Sequence, residues 1–378
     1  MRDLNRFKGC LLGGAVGDAL GYPIEFWEEG EIFSKFGKSG ITRYDLCGGT
    51  AEISDDTQMT LFTAVGLLFG QTRGMMRGIG DVHSDYIRRA YLDWLETQTH
   101  DSPIPGKRPQ VSWIANFAEF YKQRAPGITC LSALRSGEYG TVEKPINGSK
   151  GCGGVMRVAP IGVYLCDRPK RMQEKIDLLG AQVAAITHGH ELGYIPAAAL
   201  VHIISALASA EEPDVLSAVQ DALDAMPKLF PNARYMDTFM ELMEKAIRLS
   251  GEDIADLDAI HELGKGWVAE ETLAIAVYCA LKYPHDFEKA VVAAVNHNGD
   301  SDSTGAVTGN ILGAALSMDA IPEYYLETLE LRDLIEEIAE DLYNDCQMEE
   351  YGDHRDPVWI SKYIQIDYDR EKRAENRR

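Results

Sequence analysis

A chain of 378 residues with 45% apolar and 25% charged content can bury a sizeable core, in one large domain or two smaller ones. Its formal net charge of -22 excludes a general nucleic-acid or anionic-membrane binder and leaves room only for a local basic pocket. The seven cysteines are odd in number, scattered and never spaced as CxxC, which offers no zinc site and suits a reducing cytosol.

The opening Met1-Arg2-Asp3-Leu4-Asn5-Arg6 does not read as a signal peptide, because the apolar stretch behind it is short and broken by Asp18. No uninterrupted apolar run reaches bilayer-spanning length, so a cytoplasmic protein without a membrane partner is expected. Leu4, Phe7, Leu11, Ala15 and Ala19 fall on one face of a helix. Gly9, Gly13, Gly17 and Gly21 recur every four residues on a second stripe. Each helical glycine costs about 1 kcal/mol against alanine, so the stripe predicts the close approach of another backbone. The stretch from Gly17 to Glu25 ends this helix and places Glu25 in a turn.

Residues 28–53, rich in Gly, Lys and Glu, are expected to form an irregular loop. Ser54-Asp55-Asp56 then opens a helical run through Leu61, Phe62, Val65, Leu68 and Phe69, predicted over 57–69. Val82, Tyr86, Ala90 and Trp94 predict a helix over 82–98, Pro103, Pro105 and Pro109 a loop over 99–110, and a helix follows near 112–123. A glycine-bearing stretch, 136–154, contains Gly148-Ser149-Lys150-Gly151-Cys152-Gly153-Gly154. Helices are predicted over 171–187, 196–210, 213–225, 233–250, 268–282, 286–295, 304–317 and 324–344. With no alternating segment, βαβ rhythm or internal repeat, the fold class is all-α. A helical domain over 1–345 is followed by a charged tail, 346–378. In the tail Val358, Trp359, Ile360, Tyr363 and Ile364 form a docking patch, and the final Arg-Glu-Lys-Arg-Ala-Glu-Asn-Arg-Arg is expected to fray.

Chemistry concentrates in two acidic stretches, Ser54-Asp55-Asp56 and Asp300-Ser301-Asp302-Ser303, each where a helix begins. Ser and Asp are preferred N-caps, which is the structural reading of either stretch alone. A cap needs one oxygen, however, and each stretch offers more. Brought together they would form an all-oxygen site suited to Mg²⁺ or Mn²⁺ rather than zinc. The glycine-dense 148–154 stretch reads as a flexible turn or as a loop whose N–H groups approach phosphate; it lacks the Gly-Lys-Ser/Thr order of a Walker loop. His188 and His190 lie two apart and project differently on a helix, so a cap or a sugar contact suits them better than a metal. Asp300-Ser301-Asp302-Ser303-Thr304 also fits a DxDx[TV] phosphotransfer signature, but without the buried strand that should precede it.

Taken together these stretches resemble the ADP-ribosylglycohydrolase family, which includes the dinitrogenase-reductase-activating glycohydrolases. The resemblance covers roughly residues 5–317. It rests on ordered blocks: Gly17-Asp18-Ala19-Leu20-Gly21 with Glu25; Ser54-Asp55-Asp56-Thr57; Gly151-Cys152-Gly153-Gly154-Val155-Met156-Arg157; Thr187-His188 with Gly193-Tyr194; and Gly299-Asp300-Ser301-Asp302-Ser303. It implies a compact orthogonal helical bundle, a site for two Mg²⁺ (or Mn²⁺), and hydrolysis that frees ADP-ribose from a modified protein. It further implies Ser54, Asp55, Asp56, Asp300, Asp302 and Ser303 as metal ligands, with Asp55, Asp56, Asp302 and the mobile carboxylate Glu25 carrying catalysis. Gly148, Ser149, Lys150, Gly151, Cys152 and Gly153 correspond to the diphosphate loop, and His188 to a ribose contact. Cys152 stands where relatives often have asparagine, and Lys150 where some have an aromatic ring against adenine.

Cleavage at the anomeric carbon develops oxocarbenium character, which nearby carboxylates stabilise. A guanidine leaves readily, whereas a serine alkoxide needs a proton, for which Glu25 is the candidate. Arginine is therefore the favoured acceptor. The alternatives are a serine- or nucleic-acid-linked substrate, a binding protein that holds ADP-ribosyl groups, a crystallin-like structural role, and an immunity protein whose partner is a cognate ADP-ribosyltransferase toxin.

Overall fold

The computed structural model describes residues 2–80, 83–348 and 352–376. In chain order the α-helices are α1 (Leu4–Gly21), α2 (Glu29–Phe36), α3 (Asp55–Arg77), α4 (His83–Thr97), α5 (Ile128–Arg135) and α6 (Ala159–Leu165). Then come α7 (Gln173–Ala185), α8 (Glu191–Ser209), α9 (Val215–Leu229), α10 (Met236–Ser250), α11 (Asp256–Leu263) and α12 (Ala269–Lys282). The last are α13 (Phe287–Val295), α14 (Ser301–Leu316), α15 (Glu323–Leu326), α16 (Arg332–Asn344), α17 (Pro357–Ile360) and α18 (Arg370–Asn376). Among the described residues no strand forms, only isolated bridges such as Gly151 with Val268. The all-α reading is correct.

The predicted close approach at the α1 glycines is made by α14, which carries a matching stripe. A methyl carbon on Gly9 would lie 2.4 Å from the Gly313 carbonyl oxygen, on Gly13 2.4 Å from that of Gly309, and on Gly17 2.0 Å from that of Gly305. The two helices run antiparallel with backbone against backbone, a spacing that only glycine permits. This seam sets the C-terminal end of α1 beside the N-terminal end of α14. Around it pack α16, α13 and α6, while α8 sits among α6, α7, α9, α12 and α14. On length and composition α8 would cross a membrane, which the sequence pattern had not suggested. The fold instead encloses it, with Ile195, Leu200, Ile203 and Ile204 fully buried.

Several predicted boundaries shift for local reasons. Ser54 caps α3 through its hydroxyl and Gly78 closes it at φ +63°, so α3 is longer than 57–69. The expected loop over 28–53 contains α2, held by a reciprocal cap between Glu28 and Glu31. The helix near 112–123 is instead two 3₁₀ turns, Trp113–Asn116 and Ala118–Tyr121, interrupted at the extended Phe117. Helix α8 begins at Glu191 rather than at 196, because His190 caps it and Pro196 is accommodated inside it. The stretch 324–344 divides into α15 and α16, since Leu331 adopts a left-handed φ of +59°. Val82 lies outside the described residues.

In the tail, Trp359 and Tyr363 are buried, and the indole N–H of Trp359 donates to the Thr72 hydroxyl at 3.2 Å. The stretch expected to fray forms α18, because Arg373 reaches the Glu337 carboxylate at 2.6 Å. Arg377 and Arg378 lie outside the described residues.

Candidate metal centre

The first turns of α3 and α14 and the turn after α1 open onto one cavity of ≈ 350 Å³. Glu25, Asp55, Asp56, Asp300, Asp302 and Ser303 line it, opposite Gly151, Cys152, Gly153 and His188. These predicted site residues are therefore brought together. Ser54, Gly148, Ser149 and Lys150 lie outside the lining. The Ser54 hydroxyl accepts the Asp56 N–H at 3.1 Å as a helix cap. The Lys150 ammonium is paired with the buried Glu270 carboxylate.

The start of α3 is fastened by Asp18, a residue within α1 that the sequence reading left without a role. Asp18 is fully buried. Each of its oxygens accepts the Ser54 N–H at 3.0 Å, and Oδ2 also accepts the Thr57 N–H at 3.1 Å and the Thr57 hydroxyl. The Asp55 carboxylate accepts the Gly127 N–H at 3.1 Å. Asp56 Oδ2 is buried with no hydrogen-bond partner.

At α14, Asp300 is the N-cap and accepts the Ser303 N–H at 3.3 Å, while Asp302 accepts the same N–H at 2.9 Å. Glu25, Asp300 and Asp302 each place a carboxylate oxygen within 4.8 Å of the other two. Glu25 Oε2 is also buried and unpartnered. Crowding and burial raise the pKa values of these carboxylates. Loss of solvation is the largest cause, and the charge of Asp302 adds to it, pushing Asp18 up to about 7 and Glu25 up to about 11. Asp55, Asp56 and Asp300 are pushed well above the usual carboxylate range, again mainly by burial. Orphaned oxygens, hard donors and mutual repulsion are the features a divalent cation relieves, so the residues fit Mg²⁺ or Mn²⁺.

Opposite the acids, the glycine loop is tied to the stretch before α12: the Cys152 N–H donates to the Trp267 carbonyl at 3.2 Å and the Ala269 N–H to the Lys150 carbonyl at 2.9 Å. The Ser149 N–H is spent on Asn147 at 3.0 Å and that of Gly151 on the Ser149 hydroxyl at 3.4 Å. Fewer loop donors therefore face a ligand than the glycine count suggests. Gly153 must be small, since a methyl carbon there would lie 2.8 Å from Cys130 Sγ and 3.0 Å from His188 Cε1. The Cys152 thiol meets Asp300 and Ser303, and burial pushes its pKa well up.

His188 shares a 2.8 Å hydrogen bond with the Thr187 hydroxyl, and burial beside the Arg157 guanidinium lowers its pKa to about 3. It is a neutral imidazole at the cavity wall. Arg157 is itself fully buried, donating to the Thr187 hydroxyl at 2.7 Å and the Val183 carbonyl at 3.0 Å. His190 caps α8, accepting the Leu192 N–H at 3.0 Å.

Two aromatic residues at the cavity mouth were also missed. The rings of Phe26 and Trp267 stack with centroids 5.7 Å apart and planes 19° apart. No spacing rule signals them, because Phe26 lies beside Trp27 in a turn rather than on a periodic face, and Trp267 is a lone aromatic ahead of α12.

The family model described as ADP-ribosylglycohydrolase matches residues 1–352. A protein of Archaeoglobus fulgidus named only as uncharacterized is 27% identical, covering 89% of this chain and 96% of its own. The ADP-ribosylhydrolase ARH3 of Mus musculus is 25% identical, covering 90% and 92%. The ADP-ribosyl-[dinitrogen reductase] glycohydrolase of Rhodospirillum rubrum is 24% identical, covering 87% and 91%. A solved structure titled ADP-ribosylglycohydrolase-related protein complex shares the fold at a TM-score of 0.60 and 23% identity, covering 90% of this chain and 98% of that one.

Proposed function

The chain belongs to the ADP-ribosylglycohydrolase family, whose members are hydrolases acting on ADP-ribosylated proteins, and on that premise we propose that it releases ADP-ribose from modified arginine side chains with two bound Mg²⁺ or Mn²⁺. The reading is carried by the cavity where Glu25, Asp300 and Asp302 converge beside Asp55 and Asp56, with buried carboxylate oxygens that no protein group satisfies.

Asp55, Asp56, Asp300 and Asp302 would hold the cations, with the Ser303 hydroxyl beside them. When bound, the pair supplies Lewis-acid polarisation and a water of lowered pKa. The protein's own groups do the rest. Carboxylates lining the cavity stabilise positive charge developing at the anomeric carbon. The glycine loop lets the diphosphate lie close to the backbone. His188, neutral, offers a hydrogen bond to a ribose hydroxyl rather than a charge. Glu25, whose carboxyl borders the same cavity, is placed to donate a proton to a departing nitrogen or oxygen. The preference for arginine rests on charge. Among the described residues the lining holds several carboxylates and no Lys or Arg, which favours a cationic acceptor.

The test is the release of free ADP-ribose from arginine-, serine- and nucleic-acid-linked substrates, followed by mass spectrometry with Mg²⁺, Mn²⁺ or EDTA. Metal-dependent release, fastest from arginine, is expected. Equal or faster release from serine overturns the preference, and no release from any linkage overturns the hydrolase reading.

A further inference from the structure

Phe26 follows Glu25 directly, and Trp267 precedes Val268, which bridges to Gly151 of the glycine loop. The two rings thus join the acidic wall of the cavity to its loop wall. Single exposed apolar residues are ordinary on a protein surface. Here Phe26 at 71%, Trp267 at 39% and Ile128 at 83% exposure share the rim of one cavity. Directly inside that rim stand Glu25, Asp55 and Asp300, with no Lys or Arg in the lining among the described residues.

We propose that the Phe26–Trp267 pair is the acceptor subsite, taking the planar guanidinium of the modified arginine against its ring faces while the carboxylates beneath attract the same charge. This deepens the arginine reading above and rests on it. A guanidinium is flat, weakly hydrated and permanently charged, so it gains from ring faces and from an acidic floor at once. Adenine, the other flat group on the substrate, is neutral and gains from the rings only. The complementarity of charge decides for the guanidinium.

The experiment uses n-butylguanidine and its neutral isostere n-butylurea, titrated calorimetrically into full-length protein saturated with ADP-ribose and Mg²⁺. Butylguanidine is expected to bind at least about tenfold more tightly than butylurea. Phe26→Leu and Trp267→Leu should each weaken butylguanidine by about fivefold to tenfold, with free ADP-ribose changed less than about twofold. Phe26→Tyr should restore wild-type affinity. The proposal is overturned if butylguanidine fails to bind, if butylurea binds equally, or if the leucine variants lose ADP-ribose and keep butylguanidine, which would assign the rings to the base. The hydrolase reading is scored separately, by ADP-ribose release from ADP-ribosylarginine. A wild type that binds butylguanidine through the rings but releases nothing keeps this subsite and loses that function.

Discussion

The first turns of α3 and α14 carry similar residues, Ser54-Asp55-Asp56 and Asp300-Ser301-Asp302-Ser303, yet they are held by different forces. Helix α3 is pinned by hydrogen bonds from outside, with Asp18 taking the N–H groups of Ser54 and Thr57 and Gly127 donating to Asp55. At α14 the acids answer an N–H of their own turn, and the helix as a whole is placed by α1 lying along it, glycine against carbonyl. The first half depends on directed polar bonds, whereas the second combines backbone shape with bonds from the Asp300 N–H to the Lys265 carbonyl at 2.8 Å and from the Thr304 hydroxyl to the Ala294 carbonyl at 2.7 Å. Hydrogen bonds can be removed singly, whereas a close-packed seam gives way as a unit.

The largest effect is expected from Asp302→Asn, which removes the acid whose charge reaches Asp18, Glu25, Asp55, Asp56 and Asp300. Release of ADP-ribose should fall by more than about a hundredfold, beyond what supporting residues of a metal site usually cost. In EDTA the variant should melt at or above the wild-type temperature, because one repelling charge is gone. In excess Mg²⁺ the order should reverse, since a ligand stabilises only the state that binds it. Equal stabilisation of both proteins by Mg²⁺ would reduce Asp302 to an acceptor for the first-turn Ser303 N–H.

Asp18→Asn tests the pinned half. It should lower activity by about tenfold to a hundredfold and weaken Mg²⁺ binding, as loss of a supporting residue does. The buried Ser54 and Thr57 donors would compete for one remaining carbonyl oxygen, so stability should drop by about 1–3 kcal/mol in a denaturant titration. Unchanged turnover would show that α3 holds its acids without Asp18.

Gly309→Ala tests the other half. Its methyl carbon would lie 1.9 Å from the Gly13 carbonyl oxygen, whereas one on Gly30 meets nothing within 4 Å. The first variant should lose about 1–3 kcal/mol by overpacking and lose activity as α14 shifts, while Gly30→Ala should stay within about 1 kcal/mol of wild type. A stable, active Gly309→Ala protein would show the seam to be looser than drawn.

The remaining prediction concerns pH. Glu25 and Asp18 have folded-state pKa values raised to about 11 and about 7, above the usual carboxylate range. In the metal-free protein the folded state therefore keeps protons that the unfolded chain has already released. Stability should fall as pH rises from about 4 through 7 and onward, the opposite of an ion-paired carboxylate. Added Mg²⁺ should flatten that slope, which melting curves at pH 5, 7 and 9 would read.

The acidic clusters were legible because their chemistry is local: Ser and Asp side by side at the head of an apolar helical run signal both a cap and spare oxygens. The glycine stripe of α1 was legible too, but its partner on α14 was not. Gly305, Gly309 and Gly313 have the same spacing, and only the fold says which stripes meet. Asp18 hides inside a helix, where one carboxylate among apolar neighbours looks like an interruption. Its role exists only across the distance to Ser54. Helix α2 was lost among glycines and charges because its cap is a Glu28–Glu31 exchange rather than a Ser or Thr. The 3₁₀ turns after Ser112 show the converse, apolar spacing without an α-helix to carry it.

The seam between α1 and α14 also sets an order of events during synthesis. Helix α1 is among the first segments made, and the residues that meet its glycines emerge roughly 290 positions later. At 5–20 residues per second that interval is about 15–60 s, during which the glycine face of α1 lacks its native partner. A nascent chain stalled before α14 would present a sticky, unfinished helix with Glu25 and no metal site. The arrival of α14 completes the seam and at the same time brings Asp300 and Asp302 to the cavity.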